Sequence, residues 1–200
     1  MNKRIVMVLE GETEVIFYRR MIDYIYSACV KNPAVPRDKI EFILARGVCN
    51  MSARAVQTYK MRYSGAGWRN IVFCCFDTDV FENGNLPGLW TERTRDRFLE
   101  AGADEVYTIK ARHMIEDWFF YDYKGILRFL GIERPPARFP DQLPGSTAAK
   151  RLNGLYKLSH RIYQKGYATD KLVESLDIAR IYSNVKDEFK IFIREITNDI

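Results

Sequence analysis

Histidine is scarce in this chain, with only His113 and His160 among 200 residues. Cysteine is limited to Cys29, Cys49, Cys74 and Cys75, with no Cys-x-x-Cys pair. Together these shortages disfavour a zinc site of the His/Cys kind. Cys74 and Cys75 are adjacent in an apolar run, so on a strand they face opposite sides. All four cysteines are read as reduced, buried apolar residues. No apolar run approaches the ~20 residues that a bilayer span requires. Lys3-Arg4 lead straight into an apolar strand, and no small-residue cleavage site follows, so a soluble cytoplasmic protein is expected. Internal repeats and low-complexity tracts are also lacking.

What the chain does have is core-forming material. It is 47% hydrophobic with 12 Phe, 12 Tyr and 3 Trp, enough for one domain or one domain with an appendage. The net charge of +5 is a mild basic excess that suits a polyanionic partner.

Hydrophobic patterning alternates strand and helix over the first two thirds. Arg4 to Leu9 is apolar and largely β-branched, as in a central strand covered on both faces. Helical spacing predicts a helix from Glu14 to about Val30, stopped by Asn32-Pro33-Ala34-Val35-Pro36. A strand is expected over Ile40 to Leu44, and a helix over Ser52 to Tyr63 with Ser52 as N-cap. Asn70 to Asp77 reads as the clearest central strand. A Gly84 to Gly88 loop, a polar helix from Thr91 to Glu100 capped by Gly102, and a strand over Glu105 to Ile109 follow. A helical run extends from Met114 to about Leu130. This order predicts an α/β fold with a mostly parallel central sheet flanked by helices. Residues 132–145 form a Pro-rich connection that holds Pro135, Pro136, Pro140 and Pro144. Beyond it, 146–200 is patterned only for helices, three or four of them, and is expected to pack on the first domain, 1–131, as a helical extension.

The acids carry the chemistry. Ile5-Val6-Met7-Val8-Leu9 breaks at Glu10-Gly11 into a helix whose first turn carries Glu14. Asp77 and Asp79 are two apart at a strand end, so both side chains leave on one side. In open α/β sheets ligands bind in the crevice beyond the C-terminal strand ends. If the two strands are neighbours, four carboxylates converge within a few ångströms. Hard oxygen donors of this kind suit Mg²⁺ or Mn²⁺, one or two ions, and phosphodiester cleavage. Taken singly, the pieces have plainer readings. A Glu in the first helical turn answers the helix dipole, and Asp-x-Asp occurs in many turns. Glu116 and Asp117, after the fourth strand, are ordinary helix-start acids by themselves. In company with the others, Glu116 is a candidate outer or second-metal ligand.

Glu10-Gly11-x-Thr13-Glu14, then Asp77-x-Asp79, then Ile115-Glu116-Asp117-Trp118-Phe119, resembles a TOPRIM (Rossmann-like) domain over roughly Arg4 to Leu130. The Glu-Gly-x-Thr-Glu form is similar to the OLD-family nucleases and to small stand-alone relatives in bacterial defence loci. The resemblance implies a Mg²⁺- or Mn²⁺-dependent nuclease, a hydrolase of DNA or RNA in an anti-phage or mobile-element system. It implies Glu10, Glu14, Asp77, Asp79 and Glu116 as metal ligands, with Glu10, Asp77 and Asp79 catalytic. These nucleases also use a lysine against transition-state charge. Lys150 is the candidate, with Lys110 and Lys157 as alternatives. Full-length OLD nucleases carry an ATPase domain, but no Gly-x-x-x-x-Gly-Lys-Ser/Thr loop is present here, so if an ATPase is involved it is expected as a separate chain.

Arg151, Lys157, Arg161, Tyr163 and Lys165 make the helical part rich in cations and aromatics, and Arg151, Lys157 and Arg161 are candidate nucleic-acid contacts, with a solvated helix face as the plainer reading. A plain alternative to the nuclease is that the acids are caps and turns of an unrelated α/β protein, which predicts carboxylates far apart in the fold. Two further alternatives stand beside it. One is a ribonuclease for structured RNA, and the other a non-catalytic nucleic-acid-binding or regulatory TOPRIM subunit of a larger complex.

Overall fold

The computed structural model describes residues 2–65, 67–79, 89–134 and 147–197. Four strands, β1 (Asn2–Leu9), β2 (Ile40–Leu44), β3 (Trp68–Asp77) and β4 (Glu105–Ala111), form one sheet in the order β2-β1-β3-β4. All neighbours are parallel, with Leu9 level with Leu44 on one side and with Cys75 on the other. The crossover from β1 leads outward to β2, and the one from β3 leads the opposite way to β4. The strand order therefore reverses between β1 and β3, at the place where such sheets open a ligand crevice.

Alternation along the strands sorts their side chains into two cores. Val6, Val8, Val72, Cys74 and Phe76 face one way, against Tyr59 of α2 (Val56–Tyr63) and Phe98 of α3 (Leu89–Glu100). Ile5, Met7, Leu9, Ile71, Phe73 and Cys75 face the other way, against Phe17, Met21 and Ile22 of α1 (Glu12–Tyr24). On that second face lie α4 (Ile115–Phe119) and α5 (Tyr123–Leu130). With them are α6 (Ala148–Leu158), α7 (Asp170–Ser175), α8 (Ile178–Val185) and α9 (Lys190–Thr197). Leu152, Leu172, Ile181, Phe189 and Phe192 belong to the same buried cluster as the sheet residues. The C-terminal helices thus complete the core on the α1 face. Polar ties reinforce it: Arg20 on α1 donates to the carbonyls of Val173 and Leu176, and Lys3 Nζ donates to the Glu195 carbonyl at 2.8 Å.

Several local expectations change. The run from Met114 to Leu130 is not one helix. A 3₁₀ turn at Phe120–Asp122 divides it, because the buried Asp122 carboxylate caps α5 at Gly125 N (3.1 Å) and also accepts from Asp177 N (2.7 Å). Ser52 is not an N-cap, since it lies inside a π-helical turn, Met51–Ala55, that precedes α2. The first helix starts two residues early, at Glu12, and its last turn, Ile25–Cys29, widens to π geometry. Cys74 and Cys75 are buried on opposite faces, but Cys29 and Cys49 are exposed, because each falls in an irregular turn outside the cores. Gly102 does terminate α3 in the left-handed region (φ +96°). The Gly84–Gly88 loop and nearly all of the Pro-rich connection lie outside the described residues. Among the described residues no helix is long and apolar enough to cross a membrane.

Candidate functional site

β1 and β3 end side by side, and their last residues build the crevice between them. The main chain of β1 stays tied to the exit of β2: Ala45 N donates to Leu9 O at 2.8 Å, and Gly47 N to Glu10 O at 2.9 Å. Glu10 Oε1 accepts from Asp77 N at 3.0 Å, closing the gap between the two strand ends. The Asp77 carboxylate points the other way and accepts from Ile115 N, at the start of α4, at 2.8 Å. Beyond it the chain keeps pairing with the end of β4. Thr78 N donates to Ala111 O at 3.0 Å, His113 N to Thr78 Oγ1 at 2.8 Å, and Asp79 N to His113 O at 2.9 Å. That pairing carries Asp79 outward.

Glu14 stands in the first turn of α1 and is buried. Gly11 makes room for it, because a Cβ at position 11 would lie 2.8 Å from Glu14 Oε2. A cleft of about 240 Å³ results, lined by Glu10, Glu12, Glu14, Asp77, Lys165 and Gly166 among others. A cavity of similar size, about 250 Å³, lies between α3 and β4, and its described lining includes a single carboxylate, Glu92. The acidic cleft is the one at the switch of strand order.

Glu116 sits beneath this cleft with no exposed surface. Its Oε1 accepts from the Tyr163 hydroxyl at 2.8 Å and pairs with Lys165 Nζ at 2.9 Å, while its Oε2 is buried without a hydrogen-bond partner. An orphaned carboxylate oxygen of this kind is costly unless a ligand or ion engages it.

Crowding of acids in low dielectric shows in their proton affinities. Burial, reinforced by Glu14 and Glu10, lifts Asp77 from 3.8 to about 9. Burial lifts Glu10 from 4.5 to about 7, against the lowering effect of the bond from Asp77 N and with Glu14 and Asp79 adding to the rise. Burial also raises Glu14. For Lys165 desolvation pulls down, but the Glu116 carboxylate outweighs it and holds the ammonium above its ordinary value.

Of the expected acids, Glu10, Glu14 and Asp77 line the cleft, whereas Asp79 and Glu116 are not part of its lining. Among the described residues, no three His, Cys, Asp or Glu side chains converge closely enough to cage an ion. Glu10 is turned to a strand amide, Asp77 to a helix amide and Glu116 to Tyr163 and Lys165. The expected convergence of four carboxylates within a few ångströms is therefore not found among the described residues; Glu10, Asp77 and Glu116 each engage a separate protein partner.

The basic residues are rearranged more. Lys150 is exposed on α6 and does not line the cleft, whereas Lys165 does. Lys165 could not be singled out from sequence, because it belongs to no strand-end motif and reaches the site only through the path of residues 159–166. Its one local mark is the following Gly166, which holds φ +100°. Arg151 is drawn inward, pairing with Asp117 Oδ1 at 2.7 Å and stacking 4.6 Å from the Phe120 ring centroid. Lys157 and Arg161 are exposed, with Arg161 reaching the Phe129 carbonyl at 3.4 Å.

Compared with protein-family models, curated proteins and solved structures, the chain gives no match in any of the three. Fold and site define an α/β protein with a four-stranded, all-parallel sheet, flanked by helices and carrying an acidic cleft at its switch point.

Proposed function

We propose that this chain is a divalent-metal-dependent nuclease of the TOPRIM kind, resembling the OLD family, that hydrolyses phosphodiester bonds of DNA or RNA. The observation that carries the reading is the cleft between the ends of β1 and β3. It collects Glu10, Glu14 and Asp77, a lysine, and below them the orphaned Oε2 of Glu116.

These residues fit a hard cation by donor type. Mg²⁺ keeps several waters and is held through one or two carboxylates together with substrate phosphate, so a closed cage of three is not required. Glu10, Glu14, Asp77 and the free oxygen of Glu116 are the donors that would hold it, with Asp79 at the rim. A bound Mg²⁺ or Mn²⁺ supplies Lewis-acid activation of water and charge neutralisation at phosphate oxygens.

The chain's own groups have separate tasks. Glu10 Oε2 is left over when Oε1 accepts from Asp77 N, so it is the Glu10 oxygen that would hold the cation. The Lys165 ammonium lies at the cleft wall, where a fixed positive charge stabilises the charge that develops on the phosphoryl oxygens. Asp77 and Glu14 are themselves buried, so interactions made at their carboxyls are less screened than in bulk water. The net charge of +5 and the exposed Lys150, Lys157 and Arg161 favour a polyanion outside the acidic centre.

The test is cleavage of plasmid, single-stranded DNA, tRNA and ribosomal RNA with Mg²⁺ or Mn²⁺, comparing wild type with Glu10→Gln and Asp77→Asn. Metal-dependent cutting lost in both variants is expected, and the panel member cut names the substrate. Cutting that survives both substitutions, or wild-type protein that neither cuts nor binds either metal, defeats the reading.

A further inference from the structure

Lys165 lies on a segment without regular structure between α6 and the 3₁₀ turn Tyr167–Thr169, yet its ammonium is held at a defined point against Glu116. Such a segment needs an anchor, because a long lysine side chain loses rotamer freedom when fixed. The anchor is visible one residue on. Gly166 N donates to Thr13 Oγ1 at 2.8 Å, and Gly166 O accepts from Thr169 N at 3.0 Å and from Thr169 Oγ1 at 2.6 Å. The two threonine hydroxyl oxygens lie 3.4 Å apart, and both residues are buried, Thr13 at 2% exposure and Thr169 at 0%. Both main-chain polar groups of Gly166 are therefore satisfied by buried threonines. Thr13 belongs to the first turn of α1, between Glu12 and Glu14, so the helix that carries one wall of the cleft also grips the turn that carries the other. The positive φ of Gly166 makes the turn sharp enough to fold Lys165 back over Glu116.

We infer that Thr13 is a positioning residue, whose hydroxyl fixes the Gly166 turn and thereby sets Lys165 at the acidic cleft. The role ascribed to Lys165 rests on the nuclease reading, but its placement by Thr13 does not.

The first experiment therefore reads placement without activity. The protein is acetylated with limiting acetic anhydride, and the rate at Lys165 is followed by peptide mass spectrometry relative to Lys150 and Lys157 of the same chain. An ammonium held against a buried carboxylate reacts slowly. Thr13→Val is expected to raise Lys165 labelling three- to tenfold, on the order of one net hydrogen bond, while Thr13→Ser keeps the slow rate. Thermal unfolding monitors the fold. If Thr13→Val does not fold, Gly166→Ala attacks the same turn from the other side and is expected to raise labelling likewise. Unchanged Lys165 labelling in the folded variant, or an equal rise at all three lysines, overturns the inference.

A second experiment uses the cycle with Lys165→Met. If Thr13 acts through Lys165, Thr13→Val lowers kcat in the wild-type background and adds little in Lys165→Met, with KM affected less than kcat. A full additive loss overturns the inference. A wild type that cuts nothing, with labelling as expected, leaves Thr13 in its positioning role and removes only the nuclease reading.

Discussion

Lys165 Nζ lies 2.9 Å from Oε1 of Glu116, a carboxylate that has no exposed surface, while the lysine side chain is 47% exposed. The pair is asymmetric. Removing the lysine leaves a buried charge supported only by the Tyr163 hydroxyl, but removing the glutamate returns a lysine to water. Lys165→Met is therefore expected to destabilise the protein by about 1–3 kcal/mol, less than a fully buried pair because the lysine is half in water. Glu116→Gln should cost less, and the double variant should recover most of the loss. Urea unfolding of the four proteins at neutral pH measures this, and a larger loss from Glu116→Gln than from Lys165→Met contradicts it.

Asp77 predicts a pH dependence of opposite sign to that of a salt-bridged aspartate. Its proton affinity is raised, by burial first and then by Glu14 and Glu10, from 3.8 to about 9 in the folded chain. The folded state thus holds a proton that the unfolded state gives up. The contribution to stability is full below 3.8 and is lost as pH rises through about 9, with Glu10 acting alike between 4.5 and about 7. Asp77→Asn keeps an acceptor for Ile115 N and cannot ionise. Its expected effect is stabilisation on the order of 1–3 kcal/mol at pH ~8 and little change at pH ~4, read from unfolding curves in metal-free buffer. Equal effects at both pH values would show that ionisation of Asp77 is not opposed by the fold.

Asp122 tests the architecture away from the cleft. It is 3% exposed and accepts from Gly125 N and Asp177 N, joining the start of α5 to the start of α8. Asp122→Ala strips the buried Gly125 amide and the more exposed Asp177 amide of their acceptor, so a loss of about 1–3 kcal/mol is expected, mostly from the lost cap at Gly125. Asp122→Asn, which can still accept, should lose less. Chemical denaturation gives both values, and a neutral Asp122→Ala would show that the junction is not held by these bonds.

Much of this was legible before any coordinates. Apolar runs bounded by Gly and acids locate β1 and β3, which are covered on both faces, and β2 matches its expected bounds of Ile40 to Leu44. The edge strand β4, by contrast, carries Glu105, Thr108 and Lys110 and is only partly buried. Placement of Glu10 and Asp77 at strand ends follows from the same logic, while the pairing of β1 with β3 is what makes those ends neighbours. What stayed hidden depends on contacts far apart in sequence. Arg151 looks like a solvent-facing cation by spacing, and only the approach of α6 to α4 gives it Asp117. Lys165 lies 49 positions beyond Glu116 in an irregular segment, where no periodicity reports the side chain's direction. The break at Asp122 depends on Asp177, 55 positions away. Local pattern located the acids, and tertiary contact decided which cations meet them.

Metal binding itself is the last prediction. Burial and the neighbouring acids raise Asp77 and Glu10 above the ordinary carboxylate range, and a carboxyl group must lose its proton to take a cation. Binding of Mg²⁺ or Mn²⁺ is therefore expected to release protons and to tighten as pH rises from about 6 to about 8. Titration calorimetry in two buffers of different ionisation enthalpy measures the release directly. Glu116→Gln keeps the Tyr163 contact through its amide oxygen and removes the charge on the orphaned oxygen. Its expected affinity is lower by about 10- to 100-fold, the usual range for a group that supports or completes a metal site. Asp77→Asn should abolish much of the proton release, because the group that gives up the proton is gone. Tight binding with no proton release in wild type, unchanged by either substitution, would assign the cation to a different place on the protein and leave the acidic cleft without its proposed occupant.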